Sequence, residues 1–281
     1  MLKFRRIWPQ PRLGSSVATV PDQPARSVLA SARVLVGIDD TDNDSSPGTG
    51  FIAQRLLDAL AAESLAAPCG ATRHQLLIDP RVPYTSHNSS ACLAVATRPG
   101  VGVEAVEAMA ARFLREHAAV GSDPGLAVVS RDLAGDDLDA VTAFGRLAKT
   151  VLLDQATARS VAAAHGVRLS GHGGTEDGVI GALAAVGLHL SGTDGFFLWL
   201  EGIRSLRAGR YTLDDLLRVL PVDDARTLDG QRPGAGEIVE VSPWVRPLLN
   251  GGRAVLLLEH VGPRSDEPSW RTASRELVKQ Q

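Results

Sequence analysis

Two cysteines, Cys69 and Cys92, are all that 281 residues supply. That excludes a disulfide framework and a four-cysteine zinc site built from this chain alone. Both stand among apolar neighbours and are expected as buried thiols. Aromatic residues make up only 4% of the chain, so the core has to be aliphatic, built from Ala, Leu and Val and closely packed. No sign of charge prevails: 29 Lys and Arg against 32 Asp and Glu leave a formal net charge of -3. A global attraction to nucleic acid is therefore missing, although a local basic patch is still compatible with these totals. The N-terminal stretch Met1–Pro9 carries basic residues without the apolar segment of a secretory signal. No run approaches the roughly 18 apolar residues of a membrane span. A cytoplasmic protein is expected, with no membrane contact.

What is present, 44% hydrophobic and 22% charged residues, is enough for one large domain or two modest ones. The stretch around which the chain is organised runs Val34-Leu-Val-Gly-Ile-Asp-Asp-Thr-Asp42. A short apolar run reads as a buried strand over 33–38 and ends in Asp39, Asp40 and Asp42. Like charges this close repel, and each is costly to desolvate unless a cation shares the site. A divalent metal, most simply magnesium carrying a nucleotide phosphate, suits them. An Asp-rich turn capping the next helix would use the same residues. That helix is expected from Phe51 to about Glu63, with Ile52, Leu56, Leu57 and Leu60 on one face. Thr49 before it can cap the helix, link its hydroxyl to magnesium or accept a phosphate.

Strands are expected over 73–79, 91–97, 126–130, 167–170 and 196–200, and helices over 103–117, 137–147, 151–165 and 213–220. The β-loop-β-α-β-α order from residue 73 to 147 reads as a compact α+β unit of ferredoxin-like kind. Residues 1–32, with four prolines, read as an extended or partly disordered arm. The last 60 residues are expected as a small β appendage, with strands over 237–241 and 254–260 and a loose polar tail.

A second glycine-rich turn, Gly171-His-Gly-Gly-Thr-Glu-Asp-Gly178, opens a helix that continues past Gly181. It lacks the Gly-Lys-Ser/Thr of a Walker loop. As a phosphate cradle it would use Gly171, His172, Gly173, Gly174, Thr175, Gly178 and Gly181, and glycines packing a helix against a sheet would look alike. An acidic metal loop and a glycine-rich helix start are the two parts phosphoryl transfer needs. In the loop before the strand at 91, His87 beside Thr85, Ser86, Asn88 and Ser89 can bind a substrate or take its proton, or be an exposed turn.

Three segments, in this order, resemble the archaeal agmatidine synthase family, the isoleucine-tRNA agmatinylcytidine synthetases. They are Gly37-Ile-Asp-Asp-Thr-Asp42 with Thr49 opening the next helix, Ile78-Asp-Pro-Arg-Val-Pro-Tyr-Thr-Ser-His-Asn-Ser-Ser-Ala91, and Gly178-Val-Ile-Gly-Ala-Leu-Ala-Ala-Val-Gly187. The resemblance spans about residues 33–220. It implies an α+β protein: a kinase-like nucleotide-binding domain split over 33–66 and 150–220, with a ferredoxin-like domain inserted at 67–149, and 221–281 as the β appendage. It implies ATP and Mg2+ as cofactors, with Asp39, Asp40 and Asp42 holding the metal and Gly48 and Thr49 beside the nucleotide. Thr49 matches the family's phosphorylatable threonine. The family's OB fold and cysteine zinc ribbon, its tRNA-binding portion, have no counterpart in this composition. The expectation is therefore an ATP-dependent phosphotransferase or ligase acting on a small molecule or amine, with a tRNA cytidine as the other acceptor. A nucleotide-sensing module without chemistry, or a metal-dependent phosphohydrolase, are the alternatives.

Overall fold

A computed structural model describes residues 28–82, 88–262 and 268–280. A 3-10 turn, Val28–Ser31, precedes the first strand and buries Leu29, so this end of the expected arm is packed on the core. Residues 1–27 lie outside the described part.

Strand β1 (Val34–Asp39) leads to α1 (Thr49–Ala62), β2 (Ala66–Gln75), β3 (Ser89–Thr97), α2 (Val103–His117) and β4 (Gly125–Ser130). These four strands lie side by side in the order β4-β1-β3-β2, every pair antiparallel. The boundary expected between 66 and 67 thus falls inside a βαββαβ unit, because β1 pairs on both edges with strands from 67–149. Strand β2 starts seven residues before the expected 73 and stops at Gln75, short of Asp79. Pro68 and Gly70 hid its first half; a register shift between them accommodates both.

The chain continues through α3 (Gly135–Leu147), α4 (Gln155–Ala164), β5 (Arg168–Gly171), α5 (Gly178–Ser191) and β6 (Phe196–Trp199). Helix α4 begins later than the expected 151 because Asp154 caps it, accepting the Thr157 N–H at 2.7 Å. Then follow β7 (Gly209–Thr212), α6 (Leu213–Val219), β8 (Asp224–Arg226), β9 (Ile238–Val241), β10 (Leu248–Asn250), β11 (Arg253–His260), β12 (Trp270–Thr272) and α7 (Arg275–Lys279). The expected appendage is a hydrogen-bonded continuation of the same mixed sheet: β6 pairs β2 on one side and β10 on the other. Its end is a helix that buries Val278, where a loose tail was expected. None of the helices among the described residues is long and apolar enough to cross a membrane.

The period-2 alternation of β1 sets the layers. Val34, Val36 and Ile38 point into one core with α1 and α2. Leu35 points into the other, with α3, α4 and α5. Gly37 shares Leu35's face, and α5 is seated directly over it. A Cβ at 37 would overlap the Ala182 carbonyl, so only glycine lets this helix approach so closely. Cys69 and Cys92 are buried free thiols, and burial pushes the Cys92 thiol far up.

A buried polar chain ties β2 to α5. His74 is held by Asp194 (Nδ1 to Oδ1, 2.9 Å), and Asp194 also pairs with Lys149. With Nδ1–H donating to Asp194, His74 Nε2 accepts from the Thr72 hydroxyl at 2.8 Å. The same hydroxyl oxygen then accepts from His189 Nδ1 at 2.9 Å. Burial keeps both rings neutral, pushing His189 down to about 3 and His74 below its usual range.

Candidate active site: an acidic cleft at the end of the first strand

The alternation that sends Leu35 and Gly37 toward α5 also sends Asp39, the last residue of β1. Its carboxylate lies against Gly181, one turn into α5, and a Cβ at 181 would overlap it. Asp40 follows in the left-handed region at φ 49°, a conformation that costs a non-glycine residue about 1 kcal/mol. Both open into a cleft of about 570 Å³ between β1, the start of α5, residues 76–82 and the α3–α4 connection.

One wall is apolar: Leu76, Leu77, Val82, Val151, Leu152 and Ile180. The cleft's lining is also acidic, where Asp123 and Asp177 join Asp39 and Asp40. Asp123, just before β4, accepts the Thr175 N–H on its carboxylate at 2.5 Å and the Gly178 N–H on its carbonyl at 3.0 Å. Asp177, just before α5, accepts Gln155 Nε2 at 2.7 Å. Crowding shows in the proton affinities. Burial first, then Asp40 and Asp42, raise Asp39 to about 7. Burial, then Asp123, with Asp42 and Asp177 adding, raise Asp40 to about 6. Arg81 also lines the cleft, but its guanidinium is already paired with Asp79.

The expected metal trio is not gathered into one set of ligands. Asp42 does not line the cleft; its Oδ1 accepts the Thr49 N–H at 3.0 Å and the Thr49 hydroxyl at 2.7 Å. Thr49 also accepts from the Thr41 hydroxyl at 3.1 Å and is buried, with Gly48 beside Asp42. Asp42 thus does the capping work at the start of α1. Among the described residues, no group of three or more His, Cys, Asp or Glu is arranged to hold a metal ion. Asp39 and Asp40 fit one nonetheless. Magnesium in nucleotide sites takes one or two carboxylates plus phosphate oxygens, with no all-protein cage. A half-buried pair of repelling carboxylates is the donor set such an ion relieves.

The glycine-rich turn does a different job from the expected cradle. Gly178 and Gly181 line the cleft; Gly171, His172, Gly173, Gly174 and Thr175 do not. The first amides of α5 are already used, Gly178 by the Asp123 carbonyl, Val179 by that of Glu176 and Ile180 by that of Asp177. These three amides are therefore not available to an anion, because the helix begins with a tight turn that uses them. His172 is held by Ser170 at 2.9 Å, away from the cleft. In the loop before β3, Asn88 lines the cleft and donates to the Leu77 carbonyl at 2.7 Å. Ser89 accepts from Arg73 Nε at 2.9 Å. Thr85, Ser86 and His87 lie outside the described residues. Missed from the sequence were Asp123 and Asp177. Asp123 stands in an ordinary-looking Gly-Ser-Asp-Pro-Gly turn, and only its position before a strand next to β1 was a signal.

No family model matches the chain, and no curated protein sequence matches it. Among solved structures, the chain is similar to TiaS in complex with an isoleucine tRNA and ATP, at 27% identity and TM-score 0.48 over 56% of this chain and 36% of that one. It is similar to a tRNA fluorescent labeling enzyme at 28% and 0.48, over 55% and 36%. Apo TiaS, an agmatidine synthetase for that tRNA, follows at 25% and 0.47, over 55% and 35%. The chain spans little more than a third of the length of these proteins.

Proposed function

We propose that the cleft binds a nucleoside triphosphate through a divalent cation and that the protein uses it to activate an acceptor by phosphoryl transfer, as an agmatidine-synthase-like ATP-dependent ligase or phosphotransferase. The observation that carries this is the meeting of Asp39, Asp40, Asp123 and Asp177 in one apolar-walled cleft. The order of the Asp39–Asp42, Ile78–Ala91 and Gly178–Gly187 motifs supports it. A planar base suits the apolar wall of Leu76, Leu77 and Ile180. Asp39 and Asp40 would hold the cation, which when bound neutralises phosphate charge in the transferring group. Asp123 and Asp177, held by Thr175 and Gln155, keep that part of the cleft anionic. A free nucleotide would be repelled there, so its binding should require the metal. The same part suits the cationic head of an amine co-substrate.

The structural neighbours include TiaS complexes with an isoleucine tRNA, so a tRNA cytidine stands as acceptor beside a small molecule. Acceptor and co-substrate are decided by assay. Titration calorimetry with ATP, with and without Mg2+, followed by turnover in the presence of agmatine, other amines or tRNA, tests the reading. Mg2+-dependent ATP binding that Asp40→Asn abolishes is the expected result. ATP binding of equal strength without Mg2+, or untouched by that change, would overturn it.

A further inference from the structure

The sheet sets three polar residues in one row, on the face that α5 covers. Strand β1 pairs with β3 through Gly37 and Cys92 and through Ile38 and Ala91, so the next step puts Asp39 opposite Ser90. Strand β2 pairs with β3 on the other side, with His74 opposite Ser90. Residues opposite each other in antiparallel strands share a face, with Cβ atoms roughly 4.5–5.5 Å apart. That face is the one toward α5: Asp39 meets Gly181 there, Cys92 joins Leu35 in the core beneath the helix, and the polar chain from His74 ends on His189.

Ser90 is 1% exposed, and its hydroxyl has no hydrogen-bond partner. Arg226 Nε is the other such buried atom among the described residues, and it has a carboxylate oxygen of Asp224 at 3.2 Å. The surroundings of Ser90 offer it little. Both ring nitrogens of His74 are committed, to Asp194 and to Thr72. Residues 179–186 of α5, Val-Ile-Gly-Ala-Leu-Ala-Ala-Val, carry no polar side chain. Asn88, two residues earlier, gives its amide to the Leu77 carbonyl. What remains is Asp39, across the strand pair. Its carboxylate draws on the Asp40 backbone N–H and on no side-chain donor among the described residues. A hydroxyl left unpaired in a dry interior is destabilising where an alanine would not be, so packing alone does not account for a serine here.

We infer that Ser90 is a positioning residue for the cation held by Asp39 and Asp40: its hydroxyl donates to the Asp39 oxygen turned away from the ion and fixes the carboxylate as a ligand. The inference rests on the cleft binding a divalent cation. Carboxylates that ligate metals are themselves hydrogen-bonded by an outer set of partners, and losing one such partner typically weakens metal binding about 10–100-fold. Asp39 opens into the cleft, whereas Ser90 does not line it, so the hydroxyl serves the carboxylate without meeting the ligand itself. A serine hydroxyl rotates to suit its acceptor, so the strand does not have to move.

The probe is Mn2+, which shares the oxygen preference of magnesium. It is titrated alone into the full chain and read by electron paramagnetic resonance, with Mg2+-ATP calorimetry beside it. Ser90→Ala should bind both about tenfold more weakly or worse. Without ligand it should melt no lower than the wild type, because the unpaired hydroxyl is gone. Ser90→Thr keeps a hydroxyl and should bind Mn2+ with close to wild-type affinity. Ser90→Cys, of similar size but a weak donor, should bind as poorly as Ser90→Ala, and it repeats the test if Ser90→Thr melts early. A role in packing alone predicts unaltered binding in Ser90→Ala. That result would overturn the inference, and so would an equal loss in a Ser90→Thr variant that melts like the wild type. Asp40→Asn separates the two levels. If it leaves Mg2+-ATP binding intact, the cation reading of the cleft itself fails. If it abolishes binding while Ser90→Ala does not weaken it, only the role of Ser90 falls.

Discussion

Asp39 and Gly181 face each other so closely that either residue alone is uninformative; the carboxylate occupies the space a side chain at 181 would need. Gly181→Ala should leave the helix intact, since alanine is the better helix former by about 1 kcal/mol, yet displace the Asp39 carboxylate. The expected outcome is a near-unchanged melting temperature with loss of Mg2+-dependent ATP binding by calorimetry. A variant that still binds Mg2+-ATP normally would remove Asp39 from the site. The paired carboxylates were legible in the sequence because consecutive aspartates at a strand end have no packing role. Asp42 was not separable from them by residue type, and only the Thr49 contacts show that it caps α1. Asp123 and Asp177 were not singled out by their local pattern. They come to the cleft through the pairing of β4 with β1 and the start of α5, and pairings are long-range properties that local pattern does not carry.

Helices were legible wherever one face is apolar at the helical period, as in α2, whose bounds match the expected 103–117. Strands β7, β8, β10 and β12, of three or four residues, escaped, whereas β5, β6 and β9, at four residues each, were expected close to where they stand. Helix α5 shows a subtler loss. Its glycines read equally as a phosphate cradle or as packing, and the spent amides at its start favour packing. The bond between β2 and α5 is similarly invisible in sequence, since Thr72 and His189 are 117 residues apart. Thr72→Val keeps the shape and removes the hydroxyl, leaving His74 Nε2 and His189 Nδ1 without their shared partner. A loss of roughly 1–3 kcal/mol in denaturant unfolding is expected. A neutral result would show that the two rings find other partners.

Across the whole molecule the acidic cleft should make stability depend on pH. Asp39 and Asp40 hold protons in the fold, up to about 7 and about 6, that they would release when unfolded, where the ordinary value is 3.8. Native protein binds more protons in that window, so stability falls as pH rises through it. The metal-free protein should melt higher at pH 5 than at pH 8. Mg2+ with ATP should raise the melting temperature at pH 8 more than at pH 5, by at least the roughly 2–4 °C that ~1 kcal/mol makes in a chain of this size. Asp40→Asn should flatten both differences; equal melting at the two pH values would count against a carboxylate pair that holds its protons in the fold. The close seating of α5 over Gly37 has a consequence in time. A helix whose backbone rests on the backbone of the central strand cannot swing away without breaking the core, so it forms the stationary side of the cleft. Breathing has to come from the far side, the half-exposed stretch 148–156 with Leu152 at 46% exposure. In native-state hydrogen exchange the α5 amides should be among the last to exchange, and those of 148–156 should open early and slow down when ligand is bound.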